Sequence, residues 1–547
     1  MKFRTILIIP LLIIVAAIVC VFVFFPAADD REPHITPQIH FCTFCDWYEI
    51  SAASCTAQGT LERKCAECGV TERMSTPSLP HLLSDWSRLD NVYAKSCTLC
   101  ERVIAVMDAL PETLDGVKYT LNNDYRSYVI SGITKIPEDG VVVIPNEVNG
   151  LKVTILAAGA FENVRGITAV ILPDTLESIG TNAFFGSSLQ SILIPDGVRV
   201  IGEAAFSECD GLASLVLPNS LETVSPMLCQ ASKKLSEVYL PASVRDIGAN
   251  AFANCTSLKT VNLCEGVATV GVNAFSFCKA LEEIRLPESL TGISEGIFHY
   301  CERLVRVVLP SRLTSLPQYA FGGCFSLETI TIPDGVTSLG SGCFGQCRAL
   351  REIELPEGLV ALGDSAFVGC TSLRAIVIPE GINNIGWWVF SDCRALELID
   401  LPASVSYIKG NAFASVGDNL HTVRVSPDNK YFSTDGKTLF SSQGRIALGS
   451  ADGIISEDAS IILSYAFYGR QALTEIRIPK SVTRIDHAAF GECTNVTSIT
   501  YEGTVAEWEN VIHGEGWFTG SDVKVVHCSD GDAEIEFPDR GGLSPYD

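Results

Sequence analysis

Clustered basic charge is what this sequence has least of. It carries 39 Lys and Arg against 64 Asp and Glu, a formal net charge of −25. Nucleic acid is therefore excluded as an expected partner, because phosphate binding leans on grouped Lys and Arg. Charge of either sign is sparse, 19% of residues against 47% apolar, which predicts a large interior under a thinly charged, mostly negative surface. Histidine is scarce too: eight in 547 residues, with His299, His421 and His487 scattered among the later repeats. The pair Asp486-His487 reads as a turn residue beside a satisfied imidazole. There is no GxGxxG after a strand, no P-loop, no HExxH and no GxSxG, so the usual nucleotide, metalloprotease and serine-hydrolase readings fall away. Carboxylate pairs such as Glu282-Glu283, or Glu352 with Glu354, lie in strand-like stretches and lack the environment that would split their pKa values for acid–base work. The expectation is a non-catalytic chain.

A long apolar run occurs once. Residues 5–25 are uncharged, 21 in a row behind Lys2 and Arg4, enough to cross a hydrocarbon core as a helix. Residues 1–28 are accordingly expected to be a retained signal anchor, with the N-terminus cytoplasmic and the bulk of the chain extracellular. The alternative is a cleaved signal peptide and secretion, for which Pro26 and Ala27-Ala28 give a poor cleavage site. Cys20, among apolar neighbours, makes an unconvincing lipoprotein site.

What is present in abundance is repetition. Phe stands at 161, 184, 206, 252, 275, 298, 321, 344, 367, 390, 413, 467 and 490, with Leu228 in the one vacant slot, and from Phe252 to Phe413 every step is 23 residues. An apolar residue followed by Pro travels in phase with it, from Leu172-Pro173 to Ile478-Pro479, and only Leu263 is followed by something else, Cys264. A strict period of this length means one supersecondary unit stacked along an axis, since no single copy can bury its own apolar positions. In LETITIP, Leu327, Ile330 and Ile332 point inward while Glu328, Thr329 and Thr331 face water. That describes one short strand per turn, stopped by Pro333, which withholds an amide donor. Val336, Leu339 and Phe344 then continue inward through a turn and a tight return.

The unit resembles the leucine-rich repeats of the BspA-like, or Treponema-type, family, which read roughly LxxIxLPxxVxxIGxxAFxxC. The resemblance covers Val142 to Tyr501 with both phrases in phase. It implies a mostly β chain with short helical or irregular returns: a right-handed leucine-rich-repeat solenoid of about 14 coils, with a parallel strand array on the concave face. The expected organisation is an N-terminal β cap at 113–150, solenoid coils at 151–413, a coil carrying a β-hairpin insertion at 414–466, the last coils at 467–500, a C-terminal cap at 501–530 and a tail at 531–547. The cap before the coils shows two alternating runs joined by NND, a hairpin signal. The closing unit breaks the period with Trp508, Trp517 and a final strand around Val523 to Val526. Between Phe413 and Phe467 the spacing is 54, eight more than two periods, which reads as a hairpin inserted on a retained coil. The tail EIEFPDRGGLSPYD carries no cell-wall sorting motif.

Cysteine is plentiful, 21 in all. Nine sit three residues after the Phe position: Cys209, Cys255, Cys278, Cys301, Cys324, Cys347, Cys370, Cys393 and Cys493. Such a column reads as a buried ladder of small apolar groups, and no His or Lys column repeats beside it to make thiolate. The N-terminal group differs. Cys42-x2-Cys45 and Cys65-x2-Cys68, 20 residues apart, precede Cys97 and Cys100. Two knuckles presenting two thiolates each suit one tetrahedral zinc ion, structural in role, whereas an extracytoplasmic setting suits disulfides instead. Residues 36–105 also resemble the small CxxCG modules that precede surface repeats in Firmicutes, through Trp47, CTAQGT and PSLPH. Metal or disulfide, the expected role is to staple a domain too small for its own core.

One outward column is informative. Just before each strand's last apolar residue it reads Ile171, Leu193, Val216, Tyr239, Asn262, Arg285, Val308, Thr331, Glu354, Val377 and Asp400. Its first four members are apolar, as at a contact site, and the later charges suit a polar rim. Ile171, Leu193, Val216, Tyr239, Arg285, Glu354 and Asp400 are the candidate partner-binding residues. A cover by the N-terminal domain, or plain strand propensity, would explain the same apolar end. BspA-like relatives are associated with adhesion, so the resemblance implies recognition of protein or glycoconjugate ligands at a bacterial cell surface. The alternative is a scaffold or spacer in envelope assembly with no external ligand.

Overall fold

The computed structural model describes residues 116–535 except 124–125, 149 and 442–443, together with the backbone of six strands upstream. The chain divides into two compact units, residues 1–85 with 95–104, and residues 86–94 with 105–547. In the first, the strand Gln58–Lys64 pairs antiparallel with Tyr48–Ser51 on one side and Thr71–Ser78 on the other.

The second unit is a parallel β solenoid of about 17 turns with almost no helix. The opening hairpin pairs Val117–Leu121 with Ser127–Ile133 antiparallel. Its second strand then pairs parallel with Leu151–Leu156, the first rung of the stack. Most following turns carry two short strands, whereas LETITIP (327–333) and its counterpart at 350–356 keep the inward and outward alternation of burial without forming a strand. The first lies ahead of the proline, and successive copies align residue for residue: Val170 sits between Val142 and Ile192, and Val238 between Leu215 and Val261. The middle side chain of each is buried and its neighbours face outward, as the period of two demands. The proline ring supplies no amide donor, yet its carbonyl closes the turn: Pro173, Pro195, Pro218 and Pro333 accept from the amide three residues on at 3.0–3.1 Å. The second strand is only two residues long, as in Ser178–Ile179 against Val200–Ile201. One strand per turn is thus corrected to two, because a two-residue strand offers no alternation to read.

The apolar columns explain why turns stack. Phe161, Phe184 and Phe206 form one ring file, with centroids 5.2 and 5.3 Å apart. Phe252 to Phe413 form another at 5.4–5.9 Å. The vacant ring slot is corrected from Leu228 to Cys229: the Cys229 amide bonds Ala251 O at 2.8 Å as Phe252 bonds Ala274 O, and Leu228, which accepts from Phe206 at 2.8 Å, takes the alanine phase one residue earlier. All these side chains are buried. The cysteine column lies beside them with a defined task. The Phe275 carbonyl accepts the Cys278 amide of its own turn at 3.2 Å and the Cys301 thiol of the next at 3.1 Å, so both oxygen lone pairs find donors. The same thiol bond recurs from Cys278 to Phe252, Cys324 to Phe298, Cys347 to Phe321 and Cys493 to Phe467.

Two left-handed backbone positions flank each ring. At two of them a tyrosine faces a glycine of the next turn. Tyr300 (φ 56°) lays its ring over Gly323 (φ +76°), whose missing Cβ would stand 2.8 Å from the ring, and Tyr319 (φ 52°) lies over Gly342 (φ +59°). Gly342→Ala is expected to destabilise the chain by about 1–3 kcal/mol through strain and collision. The double variant Tyr319→Asn, Gly342→Ala should regain part of the loss in urea unfolding, and strict additivity would contradict the pairing.

The count of about 14 coils is corrected to about 17, because turns lacking the Phe phrase escape a count made on it. One is the turn after Phe413. The antiparallel strands Phe432–Thr434, Leu439–Ser441 and Arg445–Leu448 form the insertion, and Val423 donates to the Gly436 carbonyl at 2.8 Å as to a following strand. The outer turn is cut short at Gly449, whose amide bonds Ala466 O at 2.8 Å, the bond Phe161 makes to Ala183 in a full turn. Ser415 then reaches Tyr468 O directly at 3.1 Å. The coil is retained on its strand sides alone. The hydrophobic core divides here, one cluster ending at Leu448 and the other beginning at Ile446. The C-terminal end closes over a single helix, Val505–Trp508, held by a capping box between Thr504 and Glu507 and burying Trp508 and Trp517.

Candidate functional site

The candidate column follows the first strand row, which runs as several short sheets rather than one ladder. Backbone register places Ile171 beside Val143 and Leu193, and Val216 beside Tyr239, all half-buried with neighbours one strand away. The outward positions therefore form a tiled apolar strip at this end. The Tyr239 hydroxyl donates to Glu237 Oε2 at 2.9 Å; burial, reinforced by that carboxylate, pushes its pKa up to about 12. It is thus a neutral hydrogen-bond donor through the physiological range.

Arg285 stands in register with Val308, after which the row turns polar. Glu354 is exposed; burial first, then Glu352, raises its pKa. Asp400 lies between Val377 and Arg424, with the Arg424 guanidinium 3.9 Å from its Oδ2, a long exposed pair of small energetic consequence. Val377 is the most exposed apolar member, at 56%. The structure places Ile171 with Leu193 in one short sheet, Val216 with Tyr239 in another, Arg285 and Asp400 in two more and Glu354 outside any strand, so the arrangement suits contact along a surface.

The six cysteines Cys42, Cys45, Cys65, Cys68, Cys97 and Cys100 lie outside the described residues, as do residues 1–28. Among the described residues no helix is long and apolar enough to cross a membrane, and no group of three or more His, Cys, Asp or Glu is placed to hold a metal ion. The thirteen described cysteines are all free. Burial pushes the Cys209 thiol up to about 11 and Cys255 to about 12, so neither forms thiolate near neutrality. Iodoacetamide at pH 8 should leave the ladder from Cys278 to Cys393 unmodified in the native protein and label it after denaturation, as read by peptide mapping. Native labelling of Cys301 would contradict this packing.

Two features carry no signal in the column-by-column reading. Arg470 takes the cysteine phase three residues after Phe467, yet is 1% exposed. Trp387 and Trp388 stand in the turn before Phe390 and both reach solvent. The only sequence hint of either is a departure from the repeat's own consensus.

The geometry defines the class: a repeat protein whose turns typically add short parallel strands, a proline-closed corner and a buried ring. The BspA type leucine rich repeat region (6 copies) matches residues 144–255, 226–348, 314–443 and 454–514, about two thirds of the chain, and the protein belongs to that family. Among solved structures, a leucine-rich repeat protein from Bacteroides ovatus is similar at 23% identity and TM-score 0.51, over 75% of this chain and 92% of that one. A leucine rich cell surface protein from Faecalibacterium prausnitzii is 23% identical over 74% and 98% of the two chains, TM-score 0.38. The pneumococcal vaccine antigen PcpA is 18% identical over 63% and 94%, TM-score 0.40. At these identities the likeness is one of fold. Comparison with curated proteins finds no match. The chain is a leucine-rich-repeat protein of the BspA type.

Proposed function

We propose that this chain is a membrane-anchored, non-catalytic recognition protein at the bacterial cell surface, whose first strand row contacts protein or glycoconjugate partners in adhesion. The observation that supports it is the strip from Ile171 to Tyr239: apolar side chains half-exposed in register on adjacent strands, bordered further along by Arg285, Glu354 and Asp400. A patch of this kind offers an apolar centre with a polar rim, and strands already ordered lose little entropy on binding. Val216→Asp and Tyr239→Asp test it in pull-downs from surface extracts with the folded variants beside wild type. Partner recovery is expected to fall at least tenfold in both, and equal recovery by all three would count against the strip.

In the same reading the apolar run at residues 5–25 holds the chain in the membrane with the solenoid outside. Zinc at four of Cys42, Cys45, Cys65, Cys68, Cys97 and Cys100 staples the N-terminal module. Elemental analysis should find one zinc per chain, lost on chelation. Disulfide mapping that pairs these cysteines would reject the metal.

A further inference from the structure

We propose that the corner formed by Trp387, Trp388, Tyr407 and Lys409 is a binding site for a neutral glycan chain of pyranose sugars, separate from the first strand row and independent of the reading given to that row. Trp387, Trp388 and Tyr407 are 45%, 37% and 53% exposed, and the other two tryptophans among the described residues, Trp508 and Trp517, are buried in the C-terminal cap. The two indoles sit 6.3 Å apart at 49°. Tyr407, one turn on, stands opposite Asn384 in register, and the Lys409 ammonium lies 4.7 Å from the Trp387 ring and 5.2 Å from the Tyr407 ring. Three rings from consecutive turns thus share one rigid corner with an exposed amide beside them.

The backbone holds this display at a cost. Trp388 has φ 52°, a left-handed conformation that bulky residues rarely adopt, at a phase that is left-handed in other turns too, which carry Asn182, Asn250, Asn273, Gly296 or Gly342 and also Ala204, Met227, Tyr319, Ser365, Tyr465 and Ala488. The surroundings fix it: the Trp387 amide donates to Asp364 Oδ1 at 2.8 Å, and the Trp387 and Trp388 carbonyls accept from Ser365 and Ser391 at 2.7 and 3.2 Å. The left-handed turn belongs to the repeat; what is particular to this turn is that it places two adjacent indoles there and leaves them 45% and 37% exposed.

Size and charge select the ligand. The exposed ring surface is on the order of 300 Å², well short of the roughly 800 Å² each partner buries in a standard protein complex, and it matches two or three sugar units. The apolar C–H face of a pyranose lies flat on an indole or phenol ring, while its hydroxyls take hydrogen bonds from groups such as the Asn384 amide. An anionic ligand is disfavoured, since the chain carries a net charge of −25 and the one ammonium at the corner already faces the two rings.

Affinity electrophoresis of the full-length protein in gels containing a soluble β-glucan, a mannan or a soluble starch, with heparin as the anionic comparison, tests the site. At least one neutral polysaccharide should retard the wild type. Trp387→Ala and Tyr407→Ala should weaken that retardation at least tenfold. Trp388→Gly, which suits the left-handed backbone, should do the same while melting no lower than wild type. Four results would each overturn the proposal: no retardation by any neutral polysaccharide, retardation by heparin alone, equal retardation of wild type and variants, or a wild-type dimer in light scattering that Trp387→Ala converts to monomer, which would assign the corner to a second copy of the chain.

Discussion

Phe321→Ala is expected to destabilise the solenoid by about 3–5 kcal/mol, while Phe321→Leu should cost under about 1.5 kcal/mol. The Phe321 ring is fully buried and stacks on Phe298 at 5.8 Å and Phe344 at 5.4 Å, so truncation opens a cavity against both neighbours at once. In a stack whose stability is a sum of turn and interface contributions, one ring therefore weakens two interfaces. A smaller apolar side chain is already tolerated at this phase, since Cys229 is buried there and keeps the backbone bond to Ala251. Urea unfolding followed by circular dichroism separates the two variants. Equal midpoints for Phe321→Ala and wild type would mean the file contributes little.

Arg470→Ala is expected to cost a comparable amount, about 3–5 kcal/mol, and to split unfolding into two steps. The guanidinium donates to the Gly417 carbonyl and to the Gly449 carbonyl at 2.7 Å, bridging the place where the ring file skips a turn and the core divides. Asp418 Oδ2 accepts the Ala472 amide nearby at 2.8 Å. Burial lowers the Arg470 pKa to about 10, against the pull of Asp418. Because this pKa lies below the unfolded value, Arg470 makes stability depend on pH only in the alkaline range between the two; at neutral pH it is charged in both states and contributes no slope. Removing the side chain leaves two buried carbonyls unpaired and a cavity between the clusters. Residues 446–533 should then melt before the rest, visible through Trp508 and Trp517 fluorescence against far-UV circular dichroism. Coincident transitions in the variant would contradict a joint held by this residue.

The columns were legible in the sequence wherever one residue type recurs at fixed phase. Phe, Pro and Cys announce the stack, its corners and its thiol ladder, and alternation in LETITIP announces which side chains turn inward, although that segment itself forms no strand. Features that depend on a single departure or on contact across turns were not. The Gly449 turn has no phrase to mark it. Arg470 occupies the cysteine phase, and its carbonyl partners lie 53 and 21 residues away. Trp387 and Tyr407 meet only because a period places them on neighbouring turns. The candidate row itself could be written down coil by coil, since register follows from the period, but the half-burial of Ile171 and Leu193 against the exposure of Val377 is set by neighbours that the row does not include.

The central claim is that interchangeable turns pile up because none can bury its own apolar residues, and a pair of deletions tests it most directly. Removing residues 322–344, one full period, joins Phe321 to Gly345 with every column in phase. That protein should keep a wild-type-like circular dichroism spectrum and a cooperative melt. Removing residues 322–333, about half a period, throws the Phe, Pro and Cys columns out of phase and should abolish the cooperative transition. Equal disruption by the two deletions would contradict the account.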